Sequence, residues 1–338
     1  MPKSFERGAV ILSIDTEQIW GYLDLLDEAQ FEEKYPNAPL AHEKLLDRLC
    51  AAGVRATWFV VGGMALRESI GAGDPRMRGL PHDWVRSITG GSERTAPLWF
   101  RPSFVERLRD SQPAQEIGLH GGLTHLIWTD PRANQDGVKR ELSEGLKALG
   151  QLGVSPRSFS FTRNDEAHHE LLAGQGIRCF RGRPPALAWR LGQTLSGALW
   201  RATDEVRCAT PPPVWPRRCS GDLWNIPASM FLYPLGPKRA RIVSLRSRAE
   251  RFRRGLDAAA RHRGIFHFGF HPENLAESPQ GFAILDDILA VLTRACEHGD
   301  IELMTMGDVV DRMEKEESYV LSKQQHSYQE VLATSRRL

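Results

Sequence analysis

Five cysteines in 338 residues are too few and too scattered to organise this chain. Cys50, Cys179, Cys208, Cys219 and Cys296 are odd in number and form no CxxC pair. Neither a disulfide framework nor a thiolate zinc site is indicated. An excess of one charge is also missing. Lys and Arg total 44 against 42 Asp and Glu, a formal net charge of +2, so the basic signature of a nucleic-acid-binding protein is absent. No apolar run reaches the length of a membrane-spanning helix, and no repeat recurs at a solenoid period. The first apolar run begins within ten residues of Met1. That leaves no room for a secretory leader, so the expected location is cytoplasmic.

Apolar residues make up 41% of the chain, enough for a sizeable core. Their pattern alternates between two kinds of segment. Ala9–Ile14, Arg55–Val61, Gln115–Leu119, Pro156–Phe161, Gly176–Phe180, Ile265–Phe270 and Ile301–Met304 read as short buried strands. Leu40–Ala52, Lys139–Leu152, Glu166–Ala173 and Gly281–Glu297 carry helical spacing between them. Strands alternating with helices predict an α/β architecture with a parallel sheet. Residues 62–112, rich in Gly, Pro and Arg, and residues 184–240, rich in Pro and Trp, read as insertions. No boundary divides the chain into two cores, so one domain is expected over 1–312. Residues 313–338 are expected to form a polar, partly helical tail.

Four blocks carry chemistry. The first strand runs into Asp15-Thr16-Glu17. Residues two apart on a strand share a face, so both carboxylates can look into one cleft at the sheet's C-terminal edge. One acid can bind a metal while the other serves as base; the bland alternative is a pair of helix-capping acids. The second block is His120-Gly-Gly-Leu-Thr-His125. Residues five apart do not share a helix face, but Gly121 and Gly122 permit a tight loop that could bring the rings together. Packing histidines are the equal alternative. Arg163 and Asn164 follow the strand ending at Phe161; an arginine there suits a carboxylate clamp. In the last block, Phe266, Phe268 and Phe270 alternate with His267, Gly269 and His271. His271 closes the strand on the active side, whereas His267 reads as a hydrogen-bonded core residue.

Together these blocks resemble the polysaccharide deacetylases, the NodB-homology or carbohydrate esterase family 4 proteins. The matching segments are Ser13–Glu17, Glu116–His125, Phe161–Asn164 and Phe266–Pro272, with Ala56–Val61 similar to the family's second strand. They occur in the family's order between about residues 8 and 310. The resemblance implies a distorted (β/α)7 barrel with loop insertions. It implies Asp15 as catalytic base, oriented by Arg163, and His271 as general acid. Glu17, His120 and His125 would bind one divalent metal, with zinc expected first and cobalt, nickel or manganese as alternatives. Asn164, Trp20 and Trp224 are the candidate substrate contacts. The chain departs from the family pattern in three places. Thr16 separates the two acids, the histidines stand one residue further apart than usual, and the usual proline near Arg163 is missing.

The implied reaction is hydrolytic removal of an N-acetyl or N-formyl group from an amino sugar. With a cytoplasmic location, the expected substrate is a nucleotide- or lipid-linked sugar of cell-surface polysaccharide synthesis. Ten Lys and Arg against Glu250 and Asp257 between residues 238 and 263 suit an anionic partner such as the inner membrane face, or else a solvated helix. No nucleic-acid partner is expected. Two alternatives stay open: a non-sugar amidohydrolase for ureido or cyclic amides, and a catalytically silent carbohydrate-binding homologue.

Overall fold

The structure is a computed structural model that describes residues 5–67, 70–71, 73–185, 195–219, 222–233, 243–276 and 280–318. Among the described residues ten strands form one sheet: β1 (Gly8–Thr16), β2 (Thr57–Val60), β3 (Glu116–His120), β4 (Ser158–Ser160), β5 (Cys179–Gly182), β6 (Arg217–Arg218), β7 (Trp224–Pro227), β8 (Met230–Leu232), β9 (Ile265–Phe270) and β10 (Ile301–Leu303). Their order is β6-β7-β5-β4-β3-β2-β1-β9-β8, with β10 beside the start of β1. Every pairing is parallel except β6 with β7. The expected α/β architecture with a parallel sheet is therefore present.

The sheet curls because one stretch of chain serves both of its ends. After β7, Ala228 N–H donates to Gly182 O (2.9 Å) and Ser229 N–H to His267 O (2.8 Å). The backbone thus steps from the β5 side to the β9 side within two residues. This stretch lies inside the Pro- and Trp-rich segment that reads as an insertion. Its strands escape the sequence because they are short and because Pro227 ends one of them.

Helices α1 (Glu28–Lys34), α2 (Ala38–Ala51), α3 (His82–Val85), α4 (Pro102–Arg109), α5 (Gln135–Gly150) and α6 (His169–Ala173) precede or follow the strands, and longer helices span Leu245–His262 and Gly281–Glu297. Along β1, Val10, Leu12 and Ile14 join the larger apolar core, while Ile11 belongs to a second cluster. A last helix over 306–318 closes the N-terminal end of the strands. Met306, Val309, Val310 and Met313 bury one stripe of it against Phe5 and Ile11, at the spacing of a single helix face. Its acids meet arginines near the strand ends: Arg55 with Asp308 (2.9 Å), Arg157 with Asp311 (2.8 Å), Arg178 with Glu314, and Arg218 with Glu317 (2.9 Å). The tail expected from residue 313 thus begins inside this docked helix, and residues 319–338 lie outside the described residues.

Of the basic stretch, residues 238–242 lie outside the described residues. On the helix Leu245–His262, Arg253 pairs with Glu250 and Asp257, and Arg254 with Glu250. No helix among the described residues is long and apolar enough to cross a membrane.

Candidate metal centre and active-site cleft

At the C-terminal edge of the sheet lies a cleft of about 160 Å³. Asp15, Glu17, His120, His125, Arg163, Asn164 and His271 all line it. β1, β3, the loop after β4 and the end of β9 bring them there. Trp20 and Trp224, expected as substrate contacts, do not line it. Trp20 is buried and donates its indole N–H to Trp99 O (2.7 Å). Trp224 is buried on β7 in the second apolar cluster, stacked under Arg218. Both are core residues, and tryptophan suits a core as well as a binding platform. Tyr22, Phe231, Leu232, Tyr233 and Asn274 line the cleft instead.

Three acceptor atoms converge at its floor. Glu17 Oε2 lies 2.9 Å from His120 Nε2 and 2.8 Å from His125 Nε2. The two histidine nitrogens are 3.2 Å apart. Gly121 makes this possible with φ of +69°, a backbone state glycine adopts without strain. Ser160 O lies 2.9 Å from His120 Nδ1, so Nδ1 carries the proton and donates it to the carbonyl. The Nε2 lone pair is then left facing the Glu17 carboxylate. A lone pair against a carboxylate at this distance calls for a cation or a proton between them. A ligating histidine that hands its other N–H to a carbonyl is the usual arrangement at metal sites. The three residues therefore fit a metal ion by their own chemistry.

Burial alone would raise the carboxyls of Asp15 and Glu17 above the usual carboxylate range. His271 nonetheless holds Glu17 well below the usual carboxylate range. Asp15 is likewise held low, by the buried Arg181 guanidinium first and by His271 beside it. Burial lowers His125. Burial also works against charge on His271, but Glu17 and Asp15 raise it to about 9. Its Nε2 stands 3.0 Å from Glu17 Oε1 and 3.6 Å from Asp15 Oδ2.

The arginine on Asp15 is Arg181, and this corrects the expectation for Arg163. Arg181, wholly buried on β5, donates to Asp15 Oδ2 (2.7 Å), Ser160 Oγ (2.9 Å), Asn164 Oδ1 (3.3 Å) and Ser13 Oγ (3.2 Å). Its guanidinium sits 5.2 Å from the Phe59 ring and 4.9 Å from the Phe231 ring. Arg163 points the other way and donates to Gly21 O (3.1 Å) and Asp24 Oδ1 (2.6 Å). The two arginines divide because Arg163 follows its strand in a left-handed turn (φ +57°), whereas Arg181 lies within a strand and projects inward. A charged residue directly after the apolar run Cys179-Phe180 was the one sequence signal for it. His267 is the expected core residue: its Nδ1 lies 3.1 Å from Pro227 O and its Nε2 3.0 Å from Ser13 Oγ.

No family model and no curated protein matches this chain. Solved structures do. A Mycobacterium smegmatis protein assigned as a polysaccharide deacetylase aligns with a TM-score of 0.59 at 18% identity, over 94% of each chain. A Parabacteroides distasonis protein assigned as a glycoside hydrolase or deacetylase aligns at 0.50 and 11%, over 93% of this chain and 72% of that one. The 4-alpha-glucanotransferase of Thermococcus litoralis aligns at 0.53 and 12%, over 91% of this chain and 40% of its own. At these identities the likeness is one of fold. The chain has a polysaccharide deacetylase-like fold.

Proposed function

We propose that the protein is a metal-dependent hydrolase that removes an N-acyl group, acetyl or formyl, from an amino sugar. The observation that carries this is the convergence of Glu17, His120 and His125, with the His120 lone pair turned toward the carboxylate. The fold shared with proteins assigned to carbohydrate deacylation supports the sugar.

A divalent cation held by these three residues would polarise the acyl oxygen and lower the pKa of water at the site. The chain's own residues supply the proton transfers. Arg181 occupies Asp15 Oδ2, whereas Oδ1 finds no partner among the described residues. Asp15 therefore keeps one oxygen free of protein hydrogen bonds, the oxygen that would take the proton of an attacking water. His271 stands beside both acids and carries the proton that a departing amine needs, because amines leave poorly as anions. Tyr22, Phe231 and Tyr233 give the cleft aromatic surface on which a sugar ring can rest. A nucleotide- or lipid-linked amino sugar is the substrate class we favour.

The test is metal content by mass spectrometry, on wild type and on His125→Ala. About one divalent ion per chain in the wild type, lost in the variant, is expected. N-acyl sugars are then screened for amine release. A wild type that stays metal-free after reloading with zinc or cobalt would sink the proposal.

A further inference from the structure

The loop between the two histidines is clamped from behind by one buried side chain that no part of the chemistry above uses. Glu141, on α5, is fully buried. Its Oε1 accepts from Thr124 N–H (2.6 Å) and from Thr124 Oγ–H (2.7 Å). Its main-chain carbonyl accepts from Leu123 N–H (2.9 Å). One residue of one helix thus fixes two successive loop residues directly before His125. The Trp84 indole N–H donates to the same Thr124 hydroxyl (3.2 Å).

His125 needs this support. His120 is set by its strand and by Ser160 O, but His125 Nδ1 finds no hydrogen-bond partner among the described residues. The ring's position therefore depends on the backbone that carries it. The hold is a costly one. Glu141 has no ion-pair partner among the described residues, and burial pushes its carboxyl up to about 7 against the pull of the Thr124 donors. A buried carboxyl group without a counter-charge is rare and costly.

We propose that Glu141 is a positioning residue for His125: its Oε1, by accepting both Thr124 donors, sets the long His-to-His loop so that His125 Nε2 meets His120 and Glu17. This rests on the metal reading given above. It assigns to α5 the compensation for the additional residue between the histidines.

The experiment measures Co(II) affinity by chelator competition and records the Co(II) visible spectrum for wild type and three variants. Glu141→Leu cannot accept a hydrogen bond, and Glu141→Asp withdraws the acceptor by one methylene. Both should lose about 10–100-fold in affinity, the usual effect of removing a group that orients a ligand, and both should shift the visible bands. Glu141→Gln keeps the acceptor, and its amide replaces Oε2, which has no partner among the described residues. It should stay close to wild type in both readouts. If the leucine variant does not fold, the aspartate variant carries the test. Wild-type affinity and spectrum in Glu141→Asp and Glu141→Leu, even with lowered apo stability, would make the role purely structural and overturn the proposal. A loss in Glu141→Gln as large as in Glu141→Leu would overturn it too, since charge rather than acceptor geometry would then matter. A wild type that binds no Co(II) fails the metal reading itself, and this inference with it. Wild-type binding shared equally by all variants fails this inference alone.

Discussion

Asp15 and Arg181 form a pair with almost no access to water, their side chains 3% and 0% exposed. Removing one member of such a pair leaves an uncompensated buried charge, which typically costs about 3–5 kcal/mol. Arg181→Met should therefore lower the urea midpoint strongly and abolish turnover. The Arg163–Asp24 pair is more than a quarter exposed on both sides. Arg163→Met should cost under about 1 kcal/mol. Equal destabilisation of the two variants would mean that the arginines are not divided as the structure has them. Glu273 allows a second check at the same scale. It is wholly buried, its Oε1 stands 3.6 Å from His42 Nε2, and burial raises its carboxyl from 4.5 to about 8. The folded chain then holds a proton that the unfolded chain releases between about pH 4.5 and 8. Stability from this group is complete below that window and is lost as pH rises through it. His42, lowered to about 3 by burial, works in the opposite sense. Glu273→Gln should flatten the melting temperature from pH 5 to 8 and exceed wild type at pH 8. An unchanged pH profile would contradict this.

Among the elements, α5 and the histidine loop approach more closely than any side chain would allow. A Cβ on Gly145 would lie 2.5 Å from the Gly122 carbonyl carbon, and one on Gly62 would lie 2.6 Å from Gly145 Cα. Three glycines from three segments thus stack where Gly62 N–H donates to Gly122 O (2.8 Å). Helix propensity alone favours Ala over Gly by about 1 kcal/mol in a helix interior. Here Gly145→Ala is expected to lower the melting temperature and weaken metal binding, because the added methyl must push the loop. A stabilised variant with wild-type metal affinity would show that the loop yields freely. The helix over 306–318 is built from local signals. Thr305 and Asp308 form reciprocal hydrogen bonds at its start (2.8 and 3.2 Å), a pattern that marks a helix N-terminus.

For the whole molecule, a resident metal would tie β1, β3 and the histidine loop together. Ligand that binds only the folded state stabilises by mass action, about 2.7 kcal/mol at one hundred times Kd. Chelation should lower the thermal midpoint of the wild type and leave that of His125→Ala unmoved. An equal shift in both would place the responsible ion elsewhere.

Element types and much of the floor of the site follow from local patterns in the chain. Ile265–Phe270 and Gly281–Glu297 were legible to the residue, because alternation of three phenylalanines and sustained helical spacing are local patterns. Asp15, Glu17, His120 and His271 were legible as neighbours because parallel strands put their last residues at one edge, whereas His125 stands in a loop where ligand and packing readings were equal. Which arginine meets Asp15 was settled only in the folded chain: Arg163 and Arg181 both follow short apolar runs, but Arg163 turns away in a left-handed conformation while Arg181 stays within β5 and projects inward. Tertiary structure alone placed residues 224–232 in the sheet, where two short strands gain their stability from neighbours far away in sequence. It buried Trp20 and Trp224, a choice their chemistry leaves open. It also answered the spacing of the histidines. Whether five residues can close on one ion depends on what stands behind the loop, and Gly145 and Glu141 are twenty and sixteen residues beyond His125 in the chain.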